Sequence, residues 1–262
     1  MSDAIHQGYV TSQISDTAIA TIEFGHPLSN SLPGKILNLL ADTITKMGAD
    51  DSVKVIVLKS AGAKAFCAGA SFDELISIED FETGKVFFSG FANVINACRK
   101  CPKLIIGRVQ GKAVGGGVGV ASAVDYCFAT QYSDIKLSEL AVGIGPFVVG
   151  PAVERKIGTS AMSQLAINAT EWRSAKWATD NGLYAEMFDT IEDHVDLLWD
   201  QNTPQRRKLT HLSGFTKSLL YSTVERKAMQ VLGERLVRMW ANPVTSFDPK
   251  STKELMSWLA KA

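Results

Sequence analysis

One acid and two small-residue loops carry the chemistry this sequence can offer. Glu139 stands alone among apolar neighbours, in Leu137-Ser138-Glu139-Leu140. A carboxylate there is costly to bury unless it is hydrogen-bonded, and desolvation raises its pKa toward the range useful for proton transfer. A capping or ion-paired glutamate is the alternative reading. The first loop is Lys64-Ala65-Phe66-Cys67-Ala68-Gly69-Ala70-Ser71-Phe72-Asp73, and the second is Gly111-Lys112-Ala113-Val114-Gly115-Gly116-Gly117. Small residues let a ligand approach the backbone closely, and a helix N-terminus presents unpaired N–H groups at a positive dipole end. Two such donors on one oxygen would stabilise an oxyanion, each contributing on the order of 3–4 kcal/mol in the transition state. Taken singly, either loop reads equally well as tight packing of strand on helix.

Other chemistries find little support. His6, His26, His194 and His211 lie toward the ends of the chain, away from its glycine-rich centre, and no G-x-S-x-G elbow occurs. Gly111-Lys112 lacks the spacing of a phosphate-binding P-loop. The Gly115–Gly119 run has Ser122 where a dinucleotide fingerprint needs its third glycine. Cys98-Arg99-Lys100-Cys101 is a single CxxC without a second pair or a nearby histidine, so no metal or redox cofactor is expected.

The elements that position these groups follow from periodicity. Residues 9–14 and 18–24 alternate around Ser15-Asp16 as a hairpin. Pro33 in a first turn opens an amphipathic helix through Ile36, Leu37, Leu40, Ile44 and Met47. Residues 53–58 and 104–109 are short apolar runs, expected of strands buried on both faces. A loop covers 60–71, and a helical stretch follows to about Arg99. The second glycine loop enters a small-residue helix, 126–129 is strand, and helical patterns dominate from Gly150, with one apolar stretch at 183–188. Repeated strand–crossover–strand units imply an α/β class with parallel pairing. The division expected is a core at 1–190 and a helical C-terminal region at 191–262.

Composition is that of an ordinary globular chain: 46% apolar, 21% charged, with 27 basic and 27 acidic residues. That balance argues against nucleic acid or an anionic membrane as partner. The weakly polar runs are too short and glycine-rich to span a bilayer. The first dozen residues lack a signal-peptide pattern, and the cysteines show no secreted framework, so a cytoplasmic location is expected.

Three phrases in order, AFCAGASFDEL at 65–75, GRVQGKAVGGGVG at 107–119 and KLSELAVGIGP at 136–146, resemble the central signatures of the crotonase (enoyl-CoA hydratase/isomerase) superfamily. Leu28-Ser29-Asn30-Ser31-Leu32 and Thr170-Glu171-Trp172-Arg173-Ser174-Ala175 stand in family order too. The resemblance implies a spiral of ββα units with a helical C-terminal region, assembled as a homotrimer or hexamer. It implies an acyl-CoA thioester substrate, with coenzyme A as part of the substrate rather than a cofactor. The oxyanion hole falls on the N–H groups of Ala70 and Gly116, beside Gly115. The adenine end of the ligand falls along Ala65, Phe66 and Ala68, with Lys64 either a phosphate contact or a solvated lysine. Glu139 matches one of the two glutamates of family hydratases, and the other position is Gly119. A second departure is Phe147, where a ring is expected to exclude water and narrow the acyl pocket.

A single base suffices to move a proton between carbons, so double-bond isomerisation is the favoured reading. Hydration, including the methylglutaconyl-CoA type, is the competitor, with Ser138 or Asp73 as candidates to replace the missing acid. Thioester hydrolysis and a non-catalytic binding or scaffold role are further alternatives.

Overall fold

A computed structural model of the chain describes residues 8–189. The helical region expected at 191–262 lies outside the described residues.

The hairpin forms as read: β1 (Tyr9–Ile14) pairs antiparallel with β2 (Ile19–Gly25). β3 (Ser31–Leu32) leads into α1 (Gly34–Ala49), whose Ile36, Leu37, Leu40, Ile44 and Met47 are buried as their spacing requires. Pro33 sits one position before the first turn, as the N-cap, and its side chain offers no capping bond. Glu74 supplies the acceptor instead, its Oε2 lying 2.8 Å from the Gly34 nitrogen.

β4 (Val55–Ser60) is followed by β5 (Ala65–Cys67), β6 (Gly69–Ala70), α2 (Phe72–Ile76) and α3 (Phe81–Lys100). Next come β7 (Leu104–Val109), β8 (Lys112–Val114) and α4 (Gly116–Ala123). β9 (Tyr126–Thr130), β10 (Ile135–Lys136), α5 (Gly150–Ile167), α6 (Ala175–Asp180) and β11 (Glu186–Phe188) complete the described chain.

The order is a spiral. A six-stranded sheet, β1-β2-β4-β7-β9-β11, is parallel from β2 onward, and a three-stranded sheet, β10-β8-β5, and a two-stranded one, β3-β6, collect the short second strands. Successive turns therefore run long strand, short strand, helix.

The main core lies between the large sheet and the helices, where Ile56 and Leu58 of β4 and Ile105 of β7 meet α1, α3 and α4. Leu37 of α1 seats on Gly90 of α3, where an added Cβ would stand 2.8 Å from Leu37 Cδ1. The other face of the sheet buries Ile19, Val55, Val57, Ile106 and Phe128. Strands apolar on both faces read as continuous hydrophobic runs, which is why 104–109 was legible without alternation.

Candidate functional site

The two small-residue loops meet because β5 and β8 are neighbours in the small sheet, with Ala65 opposite Lys112. The first loop is fastened by three bonds: Ala68 N–H to Ser29 O (3.2 Å), Ser71 N–H to Leu32 O (3.1 Å) and Ser31 Oγ to Ala70 O (2.8 Å). Gly69 has φ +94°, and a Cβ there would approach Val114 O to 3.2 Å and Gly116 N to 3.9 Å. Glycine is thus required both by conformation and by the closeness of the second loop.

In that second loop, Gly115 caps α4. Its N–H reaches Lys136 O (2.9 Å), and its carbonyl accepts from Val118 and Gly119. Gly116 opens the helix, where position leaves its N–H without an intrahelical acceptor. Gly69, Gly115 and Gly117 are buried, while Ala70 and Gly116 stay half-buried.

β10 carries the acid to the same place. Lys136 pairs with Val114, and Glu139 follows three residues later. The Glu139 carboxylate packs on Gly115, its Oε2 buried without a hydrogen-bond partner. Burial pushes its pKa up to about 7, opposed by a bond from its own backbone N–H. Among the described residues no ion pair and no side-chain cap engages this carboxylate, so the capping and ion-pair alternatives do not describe it there.

Gly119, one turn along α4, is sealed. A Cβ there would stand 2.6 Å from Val149 Cγ1 and 3.1 Å from Ile95 Cδ1, so neither a side chain nor a water fits as packed. Phe91 likewise seats its ring on the α-carbon of Gly116, 2.5 Å from where a Cβ would be. Val149 and Phe91 carry no signal in the sequence, because their partners lie tens of residues away. Gly119 inside a small-residue helix was the trace they left.

The remaining expected residues distribute differently. Ala65 and Lys64 line a cleft of about 440 Å³ with Tyr9, His26, Ser29 and Asn30. Two buried amides hold its wall: Asn30 Nδ2 donates to Ala61 O and Ala65 O (2.9 Å each), and Gln110 Nε2 donates to Ser60 Oγ, Gly62 O and Ala65 O. Asn30 also accepts from the His26 N–H at 2.8 Å. Ser29 and Asn30 both sit at positive φ, 54° and 57°, a strain of the kind that clusters at ligand clamps. His26, distant in sequence, is therefore close to the first loop in space. Phe66 turns its ring into the core against Phe24, centroids 5.4 Å apart, leaving its backbone alone toward the loop. Phe147 folds over Gly145 and stays 51% exposed. The side chain that closes the space at Gly119 is Val149, two residues on.

The model of the enoyl-CoA hydratase/isomerase family matches residues 15–231. The chain belongs to that family. Within it, the Probable enoyl-CoA hydratase of Bacillus subtilis is 30% identical over 169 residues, 64% of this chain and 65% of that protein. The mitochondrial methylglutaconyl-CoA hydratase of Mus musculus is 30% identical over 141 residues, 53% of this chain and 45% of that one. The aligned region thus spans between about half and two thirds of these relatives. A solved enoyl-CoA hydratase from Bacillus halodurans shares the fold with a TM-score of 0.82 at 19% identity, covering 95% of this chain and 99% of that one. Among the described residues, no helix is long and apolar enough to cross a membrane.

Proposed function

We propose that the protein isomerises the double bond of an enoyl-CoA thioester, with Glu139 as its single acid/base. The supporting observation is the lone buried carboxylate packed on Gly115, beside a Gly119 position that Val149 has closed. In this reading the thioester oxygen accepts from the N–H groups of Ala70 and Gly116. Glu139 removes a proton from one carbon of a 3-enoyl chain, and the electron pair delocalises into a dienolate on that oxygen. Glu139 then returns the proton to the far carbon of the conjugated system, restoring the carboxylate and leaving the 2-enoyl thioester. A pKa near 7 suits a group that must both take and give a proton near neutral pH. The nucleotide end of the substrate lies in the Lys64–Ala65 cleft, and the working assembly is a cytoplasmic homotrimer or hexamer.

Hydration is the second reading, favoured by the names of the relatives, two of which are hydratases. It needs a second group to hold and deprotonate water. Asp73, exposed on α2, and Ser138, half-buried beside Glu139, are the candidates.

Proton NMR of the protein with 3-enoyl- and 2-enoyl-CoA in deuterated water separates the two. Interconversion without 3-hydroxyacyl product supports isomerisation, and Glu139→Gln should then lower turnover by roughly 10²–10⁴-fold. Hydroxyacyl product overturns the isomerase reading. Inertness toward both substrates, with no binding, would favour a different acyl thioester or a non-catalytic role.

A further inference from the structure

Gly115-Gly116-Gly117 has no side chain of its own to hold its peptide planes, yet a hydrogen-bond donor within it must point one way. One side of the Gly115–Gly116 peptide is fastened by hydrogen bonds. The Gly115 carbonyl accepts from Val118 N–H (2.9 Å) and Gly119 N–H (3.2 Å), so it points into α4. The peptide is trans, which sets the N–H opposite the carbonyl, and the Gly116 N–H therefore points out of the helix start. The other side is held by a ring. Phe91 Cζ, Cε1 and Cε2 lie 2.5, 2.6 and 2.6 Å from where a Gly116 Cβ would stand, so the ring meets the α-carbon end-on. Phe91 is buried, and α3 is pinned beside it. Leu37 of α1 is seated on Gly90, and Ile95 Cδ1 stands 3.1 Å from the Cβ position of Gly119. Residues four apart share a helix face, so Phe91 and Ile95 mesh with Gly116 and Gly119 as one row.

We propose that Phe91 is a positioning residue: its ring fixes the α-carbon of Gly116, and with it the direction of the Gly116 N–H toward the thioester oxygen. The proposal rests on the acyl-thioester reading of the site but not on which reaction follows. Glycine peptides rotate with little steric penalty, so the bonds to the Gly115 carbonyl alone leave a hinge at the Gly116 α-carbon. The ring removes that hinge by filling the volume that a side chain would take. Displacing a reacting group by about 1 Å costs on the order of a hundredfold in rate, and losing one oxyanion donor costs roughly 10²–10³-fold in kcat. An oxyanion gains more from the donor than a ground-state carbonyl does. Phe91 therefore governs turnover while changing affinity little.

The test reads the carbonyl itself. Butyryl-CoA labelled at its carbonyl carbon has no double bond to move or hydrate, and infrared difference spectroscopy reports how far binding lowers its C=O stretch. The unmodified protein should lower that stretch. Phe91→Ala should lose roughly half of the shift, as one donor of two is misdirected. Its kcat with 3-enoyl-CoA should fall about 10- to 100-fold, with KM changed less than about threefold. Phe91→Met, long and flexible enough to reach the α-carbon again, should restore most of both. Leu37→Ala is the control: it hollows the neighbouring contact at Gly90 and should lower Tm by several degrees, yet leave shift and kcat in place. If Phe91→Ala does not fold, Phe91→Leu, too short to reach Gly116, carries the same expectations. A full shift in these shortened variants, or an equal loss in Leu37→Ala, overturns the inference and leaves the acyl-thioester reading standing. A lost shift without any isomerisation would keep the role of Phe91 and remove the proposed reaction. Bound butyryl-CoA with no shift in the unmodified protein would remove the oxyanion hole and the role of Phe91 together. No binding would remove the acyl-thioester reading as well.

Discussion

The carboxylate of Glu139 lies against the α-carbon of Gly115, so close that an added methyl would stand 3.2 Å from Oε1. The acid and the N-cap of α4 are therefore one packed unit, although 24 positions separate them in the chain.

Gly115→Ala strikes that unit twice. The residue sits at φ +51° and ψ −115°, backbone that glycine alone adopts readily and that costs a side chain roughly 1–3 kcal/mol, and its methyl would press the carboxylate aside. We expect kcat to fall about 10- to 100-fold with KM little changed, and Tm to drop by several degrees. A lowered Tm with kcat intact would mean that Gly115 does not position the acid.

The raised pKa of Glu139 has two consequences of definite sign. As a base in the free enzyme it must be ionised, so kcat/KM should climb about tenfold per unit below pH 7 and level off above it. For stability, the group is protonated in both folded and unfolded states below about 4.5 and contributes nothing there. Between that pH and about 7 the unfolded chain ionises first, so the native state loses stability as pH rises, by on the order of 3 kcal/mol in all. Glu139→Gln should therefore be more stable than the parent in denaturant melts at pH 8, and nearly equal to it at pH 4.5. Equal stability at both would show that the carboxylate is solvated.

Gly119→Glu by itself should fail, because its Cβ would collide with Val149 at 2.6 Å and overpacking costs about 1–3 kcal/mol. Paired with Val149→Gly, which removes both the Cγ1 and the Cβ that would stand 2.9 Å away, the new carboxylate gains the space to hold a water near Glu139. 3-Hydroxyacyl product from 2-enoyl-CoA should then appear in the double variant and in neither single one. Hydration by the single Gly119→Glu variant would show that Val149 does not guard this position.

The sequence revealed most where a signal is local. β7 has the bounds its apolar run implied, and β1 those of its alternation. β4 starts two residues later than its run, because the Val53 N–H is spent on Asp50 O in the turn before it. The loop expected over 60–71 hides β5 and β6, whose two or three residues pair with strands far away and leave no period to read. At the site, Glu139, Ala70 and Gly116 were visible as types in motifs. Phe91 and Val149 were not, and Asn30 and Gln110 stood inside their motifs without showing what they do, since each acts through a contact that only the folded chain creates. Phe147 lies half-exposed over Gly145, and the side chain packed at Gly119 is Val149, two residues on.

The strand order of the large sheet has a consequence for the timing of assembly. From β1 to β11 each strand is laid beside the one before it in the chain, so the sheet can grow in the order of synthesis. Its site cannot. Ala70, Gly116 and Glu139 come from three successive turns of the spiral, and the acid arrives after β9 is already in place. A nascent chain released at residue 130 would hold five of the six strands of the large sheet and both small-residue loops, yet lack the carboxylate proposed as the acid/base.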